Sequence, residues 1–287
     1  MNERDVESKV LHELGRAMGA FSMLERGDRI AVGVSGGKDS LCLLDALVRY
    51  RRRAPFPYEL VAITIEQGKF KVPIGQLEEQ MRRTGVEWVL RPESSTLGLV
   101  ADGVEHGCDV CSRHRRRALY QAASDRGCTV LALGHTADDC AESLLRNILF
   151  NGRIASLPPV AMSGKGPIRL IRPLVFVSEE LTAAYVLEKE LLTVDCVCAE
   201  KGGPRSEIRE FLESMSSRHI DVPESVRAAL ANVNPYSLFD PKLHKDGADR
   251  SLIFQGKGES KVRGKSEVRR PRSEVRETAS RHTTAPA

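Results

Sequence analysis

The chain has 287 residues, 41% hydrophobic and 29% charged, with seven cysteines and a formal net charge of +4. That length suits one α/β domain with accessory helices, and no apolar run approaches the ~20 residues that span a bilayer. With no apolar export stretch behind Met1 to Asp5 and an odd cysteine count, a cytoplasmic protein with reduced or metal-bound thiols is expected, not a disulfide framework.

The charge is unevenly placed. Residues 242–287 carry twelve Lys/Arg against six Asp/Glu, or +6, while residues 1–241 carry 31 against 33, or −2. The body is therefore not globally basic, and nucleic-acid contact would have to rest on local patches. Arg49, Arg51, Arg52 and Arg53 form one; Arg113, His114, Arg115, Arg116 and Arg117 form another. Each also reads as a solvated helix face.

In chain order, Val6, Val10, Leu11, Leu14, Met18 and Phe21 are spaced for a leading helix within 4–25. A strand is expected at Arg29–Val34 and a helix at Ser40–Arg53. A second strand at Leu60–Ile65 precedes a helix at Ile74–Thr84 and a third strand at Val86–Leu90. A helix at Cys111–Arg126, a strand at Thr129–Leu133 and a helix at Ala137–Phe150 follow. Ile168–Ile171 reads as a fifth strand and Ser178–Lys189 as a helix, with two more helices at Glu207–Met215 and Pro223–Ala231.

Strands alternating with helices of this length predict an α/β fold, a doubly wound and mostly parallel sheet with helical additions at both ends. The segment after Pro241 is rich in Ser, Arg, Lys and Gly and repeats Ser-Glu-Val-Arg at 266–269 and 273–276. It reads as a disordered basic tail. The expected organisation is an N-terminal helix in 1–27, the α/β domain in 28–200, C-terminal helices in 201–241 and the tail in 242–287.

Ligands of such sheets bind beyond the carboxyl ends of the strands. There the sequence places Ser35-Gly36-Gly37-Lys38-Asp39-Ser40, Glu66-Gln67 and Gly134-His135. Gly36 and Gly37 let several backbone N–H groups face an anion, and the following helix adds its positive end. Ser35 and Ser40 supply hydroxyls, Lys38 a charge, and Asp39 a carboxylate to orient the loop or hold Mg²⁺. The Walker A spacing is absent, and a plain strand-to-helix turn has no need of Lys-Asp-Ser.

Gly134 to Glu142 places Asp138 and Glu142 four apart on one helix face, where they could hold Mg²⁺ beside phosphates. Thr136 and Asp139 also have capping-box spacing, so Asp139 reads equally as cap or site. Cys108 and Cys111 form a Cys-x-x-Cys, with Cys196 and Cys198 far downstream. The four could bind zinc or part of an iron–sulfur cluster, though Cys-x-Cys is awkward for two ligands on one tetrahedral ion. Cys42, Cys128 and Cys140 fall among apolar residues and read as buried, inert thiols.

The Ser-Gly-Gly-Lys-Asp-Ser loop resembles the fingerprint of the PP-loop ATP pyrophosphatase superfamily. Gly134-His135 with Asp138-Asp139, Cys-x-x-Cys-Ser-Arg-x-Arg-Arg, Asn151-Gly152-Arg153, Leu157-Pro158-Pro159 and Ile171-Arg172-Pro173-Leu174 are similar to the tRNA 2-thiocytidine synthetase (TtcA) group, over about Asp28 to Asp240. The resemblance implies an adenine nucleotide alpha hydrolase-like, Rossmann-like fold. It also implies ATP-dependent thiolation of an anticodon-loop cytidine, with Mg²⁺ and a [4Fe–4S] cluster.

The resemblance assigns catalysis to Lys38, Asp39 and Asp138, and nucleotide binding to Ser35, Gly36, Gly37, Lys38, Asp39, Ser40, Gly134 and His135. Cluster binding falls to Cys108, Cys111 and one of Cys196 or Cys198, because the group's later pair has two intervening residues and this chain has only Val197. The implied partners are tRNA and a cysteine desulfurase or other sulfur donor, with no membrane and a possible homodimer. A tRNA 2-thiouridine synthetase is the rival within the superfamily, ahead of a lysidine synthetase, which needs no cysteine cluster. A non-catalytic adenine-nucleotide-binding regulator is the rival from another class.

Overall fold

The computed structural model describes residues 3–68, 74–94, 108–162, 167–194, 204–217 and 221–244. Six strands form one sheet: β1 (Arg29–Gly33), β2 (Glu59–Glu66), β3 (Glu87–Pro92), β4 (Val130–Ala132), β5 (Val160–Met162) and β6 (Arg169–Ile171). Their order is β3-β2-β1-β4-β6-β5, parallel throughout except for β5, which runs antiparallel to β6. The chain steps outward from β1 through β2 to β3, then returns to place β4 on the other side of β1. That reversal makes the carboxyl ends of β1 and β4 the crevice of the sheet.

Strand residues alternate between faces, and both faces are covered. Ile30, Val32, Leu60, Ala62, Val130 and Ala132 enter one core, closed by α1 (Glu3–Ala20), α2 (Lys38–Tyr50), α3 (Ile74–Thr84) and α6 (Glu179–Glu188). Ala31, Val61, Ile63, Ile65, Leu131 and Leu170 enter the other, against Leu119, Ala122 and Ala123 of α4 (Cys108–Asp125). This two-sided burial is why β1 and β2 read as continuous apolar runs.

A smaller core joins Ala141 and Leu145 of α5 (Ala137–Asn151) to Ile208 and Leu212 of α7 (Pro204–Ser216) and Val222 and Val226 of α8 (Val222–Ala231). Arg16 and Arg227 both stack on the Phe176 ring, at 5.5 and 5.0 Å from its centroid, tying α1 and α8 to the loop after β6. Residues 1–233 form one unit and 234–287 a second, whose described residues make two 3₁₀ turns, Pro235–Ser237 and Pro241–His244. Most of the basic tail lies outside the described residues. Among those described, no helix is long and apolar enough to cross a membrane.

Every predicted strand and helix is present, with ends shifted by a few residues, and one strand is new. β5 is only Val-Ala-Met, half-exposed behind Pro158-Pro159, and carries no period by which to recognise it.

Candidate active site

The turn after β1 is closed by its own serines. Ser40 Oγ donates to the Gly37 carbonyl at 2.8 Å and accepts the Ser35 N–H at 3.1 Å, with Ser35 Oγ 3.2 Å away. Gly37 caps α2 with no side-chain hydrogen bond, and with the Ser40 N–H donating to the Gly37 carbonyl, the Lys38 and Asp39 amides are left to meet an anion. Gly36 has φ +84°, and its carbonyl accepts the Val194 N–H at 2.8 Å. A Cβ there would stand 2.9 Å from Val194 Cβ, so conformation and space both require glycine.

Gly134, at the exit of β4, is as constrained. A Cβ on it would lie 2.8 Å from the Asp39 carbonyl oxygen, so the second motif rests directly on the first turn of α2. Asp139 closes the capping box, accepting the Thr136 N–H at 3.0 Å while its own N–H donates to Thr136 Oγ1 at 3.3 Å. Asp138 turns the other way and accepts the Glu179 N–H at 2.7 Å, at the start of α6. Glu142 is buried and accepts from Arg209 of α7 at 2.8 Å, so it does not pair with Asp138 as a cation site.

Lys38 Nζ bridges Asp39 Oδ2 and Glu179 Oε2, both at 3.0 Å. Thr182 Oγ1 donates to Asp39 Oδ1 at 2.5 Å, and Arg209 reaches Glu179 at 3.6 Å. Burial alone would weaken the Lys38 ammonium, but Asp39 and Glu179 outweigh it and hold its pKa above the usual lysine value. Burial raises Asp39, against the hydrogen bond from Thr182 and the charge of Lys38. Burial likewise raises Asp138, against the Glu179 amide and helped by the Glu179 charge. Glu179 and Thr182 were not singled out in the sequence. Their only signal was the Ser178-Glu179-Glu180 helix start, which names no distant partner.

These elements enclose a cleft of about 330 Å³. The loop and Gly134-His135 form its floor, with Gln67 at the end of β2 and Ser112, Arg115 and Arg116 of α4 on its wall. Cys111, half-buried in the first turn of α4, accepts from Gln67 Nε2 through its carbonyl at 3.2 Å. Cys108 begins the same turn, three residues earlier and therefore on the same helix face. Its side chain, Cys196 and Cys198 lie outside the described residues.

The backbone nonetheless brings Val194, two residues before Cys196, onto Gly36. Cys42, Cys128 and Cys140 are buried, and burial raises all three thiols, Cys140 to about 11. They suit packing rather than chemistry. Of the first arginine patch, Arg49 is occupied by Asp45 and Glu7, whereas Arg115 and Arg116 of the second are exposed at the cleft.

A parallel α/β sheet with an amide-lined anion loop at its reversal point defines a nucleotide-binding domain. Residues 6–212 match the PP-loop domain family. The chain is 38% identical over 249 residues to the tRNA-cytidine(32) 2-sulfurtransferase of Anaeromyxobacter sp. strain K, covering 85% of each chain. It is 34% identical to the one from Mannheimia succiniciproducens, covering 84% of this chain and 79% of that one. The solved U34-tRNA thiolase NcsA of Methanococcus maripaludis, with its [4Fe-4S] cluster, shares the fold with a TM-score of 0.64 at 21% identity, over 81% of each chain. The chain belongs to the PP-loop family, in the group of the tRNA-cytidine(32) 2-sulfurtransferases.

The raised pKa of Asp138 sets a pH test. The folded protein holds its proton to higher pH than the unfolded chain does, so ionising it destabilises the fold as pH rises above the ordinary 3.8. Asp138→Asn keeps an acceptor for the Glu179 amide and sheds the charge. Its unfolding free energy should exceed the wild-type value at pH 7 and converge with it as pH falls toward 3.8. Urea denaturation across that range checks the sign.

Proposed function

We propose that this chain thiolates tRNA, activating the C2 oxygen of an anticodon-loop cytidine, position 32 as in the relatives' names, with ATP and replacing it by sulfur. The observation that carries the reading is that one cleft joins the anion loop to Ser112, Arg115 and Arg116, which directly follow Cys111 on α4, while Val194, two residues before Cys196 in sequence, hydrogen-bonds to Gly36 of the same loop.

Cytosine O2 is a poor leaving group. In the proposed first step it attacks the α-phosphorus of ATP; the new O–P bond forms as the α–β bridge breaks and pyrophosphate leaves. The Gly36, Lys38 and Asp39 amides, which are not engaged within the turn, grip that pyrophosphate, the Ser35 and Ser40 hydroxyls hold the loop in shape for it, and Lys38 offsets the charge it gains. Glu179 and Asp39 position Lys38, and Thr182 positions Asp39.

Among the described residues no three His, Cys, Asp or Glu side chains converge as a metal site. Two acids beside a phosphate loop still fit Mg²⁺, which takes one or two carboxylates plus substrate phosphates; Asp39 and Asp138 would hold it. The second step forms the C2–S bond and expels AMP.

Cys111 and Cys108 on one helix turn, with Val194 at the loop two residues before Cys196 in sequence, fit a three-cysteine [4Fe–4S] site. Such a cluster, when bound to these cysteines, would supply a site from which sulfur is delivered to C2. Arg115 and Arg116 contact phosphates of an unpaired loop whose target base is turned into the cleft. A cysteine desulfurase or another donor replenishes the sulfur, and the substrate places the enzyme in the cytoplasm.

Nucleoside mass spectrometry of tRNA from cells lacking this protein tests the reaction. Loss of 2-thiocytidine, restored by the wild-type gene and not by Lys38→Ala, is expected; loss of a 2-thiouridine instead would overturn the choice of base. The cofactor has its own test. Anaerobically purified protein should hold iron and absorb broadly in the visible, and Cys108→Ala or Cys111→Ala should lose both. Stoichiometric zinc in colourless wild-type protein would contradict the cluster.

A further inference from the structure

Arg172 directly follows β6, so it sits at the carboxyl end of the sheet, the same end as the anion loop. It is only 6% exposed. Its backbone N–H donates to the Pro159 carbonyl at 2.9 Å and its Nη1 to the Pro158 carbonyl at 2.5 Å. Its buried Nε has no hydrogen-bond partner. Among the described residues no carboxylate comes within ion-pair distance of it.

The charged and titratable groups within its electrostatic reach come from two helices. Cys140 and Asp139 face it from α5, and Arg116 and Tyr120 from α4. Asp139 is already engaged by the Thr136 cap. Burial pulls the Arg172 pKa below the usual value; Cys140, and after it Tyr120 and Asp139, oppose this, and the like charge of Arg116 adds to it. A guanidinium does not deprotonate in a protein, so the cation persists. Arg116 and Asp139 both line the cleft.

A buried cation beside a second cation, with one neutral carbonyl as the acceptor of its guanidinium and its Nε unpartnered, is an arrangement that an anion completes. Guanidinium forks match phosphate oxygens in pairs, which a lysine cannot reproduce. We propose that Arg172 and Arg116 form a phosphate-binding subsite on the β6 side of the cleft, separate from the Ser35–Ser40 loop. Its ligand is a phosphate ester, either the α-phosphate of the adenylate or a backbone phosphodiester of the RNA next to the target base. The inference rests on the reading above, that the cleft takes ATP and tRNA.

The test compares the whole wild-type protein with Arg172→Gln and Arg172→Lys. Affinities for AMP, for pyrophosphate and for unmodified tRNA at several salt concentrations are measured by titration. In Arg172→Gln, either AMP or tRNA should bind at least about tenfold more weakly, the scale of a lost charged hydrogen bond. Pyrophosphate, held by the Ser35–Ser40 loop, should stay within about twofold.

A loss confined to AMP makes the nucleotide the source of the phosphate. A loss confined to tRNA, with the salt dependence shallower by about one ion, makes the RNA backbone the source. Arg172→Lys should recover part of the lost affinity, since charge remains without the fork. If Arg172→Gln does not fold, the exposed Arg116→Gln is read by the same pattern. Unchanged affinity for all three ligands, or equal loss of all three, would overturn the subsite. A wild-type protein that binds neither AMP nor tRNA would instead overturn the underlying reading.

Discussion

The site depends on how closely two stretches of backbone approach each other. Gly134 rests on the first turn of α2, where even a methyl group would be 2.8 Å from the Asp39 carbonyl oxygen. Parallel neighbours lie about 5 Å apart in a sheet, so side chains on both exit loops would normally separate them. Removing one lets the turn after β4 and the loop after β1 become one surface. Gly36 plays the same part against Val194, two residues before Cys196 in sequence, and brings it to that surface. Two glycines thereby assemble chain segments roughly a hundred or more residues apart.

Charge organises what the glycines bring together. Lys38 is held between Asp39 and Glu179, Asp39 is tethered by Thr182, and Asp138 accepts the first amide, Glu179 N–H, of the helix that carries Glu179 and Thr182. The loop lysine is therefore positioned by α6, which also packs in the main core through Tyr185 and Val186. Burial opposes ionisation of both acids, a cost that cationic ligands would offset. A site so built favours an anionic nucleotide with its counter-ion.

Much of this could be read from the chain because it is local. The strand–loop–helix grammar placed Ser35–Ser40 and Gly134–Asp139 at strand exits, and Thr136-x-x-Asp139 already spelled a cap. The capping geometry assigns Asp139 to holding the start of α5. What could not be read was long-range. No period or motif says that Glu179 meets Lys38, 141 residues away, or that Thr182 meets Asp39, 143 away. Glu142 shared a helix face with Asp138, but Arg209 from α7 draws it off. Arg172 was visible as part of Ile-Arg-Pro-Leu, while its burial without a carboxylate partner emerges only in three dimensions.

On the proposed reading, the loop serves cleavage between the α and β phosphates of ATP, driven by an RNA substrate. The direct measurement follows ATP labelled on its α- and γ-phosphates, with and without unmodified tRNA. AMP and pyrophosphate should form in equal amounts, depend on the tRNA, and disappear in Lys38→Ala. Release of ADP and phosphate, or tight ATP binding without turnover in the presence of tRNA, would contradict the account.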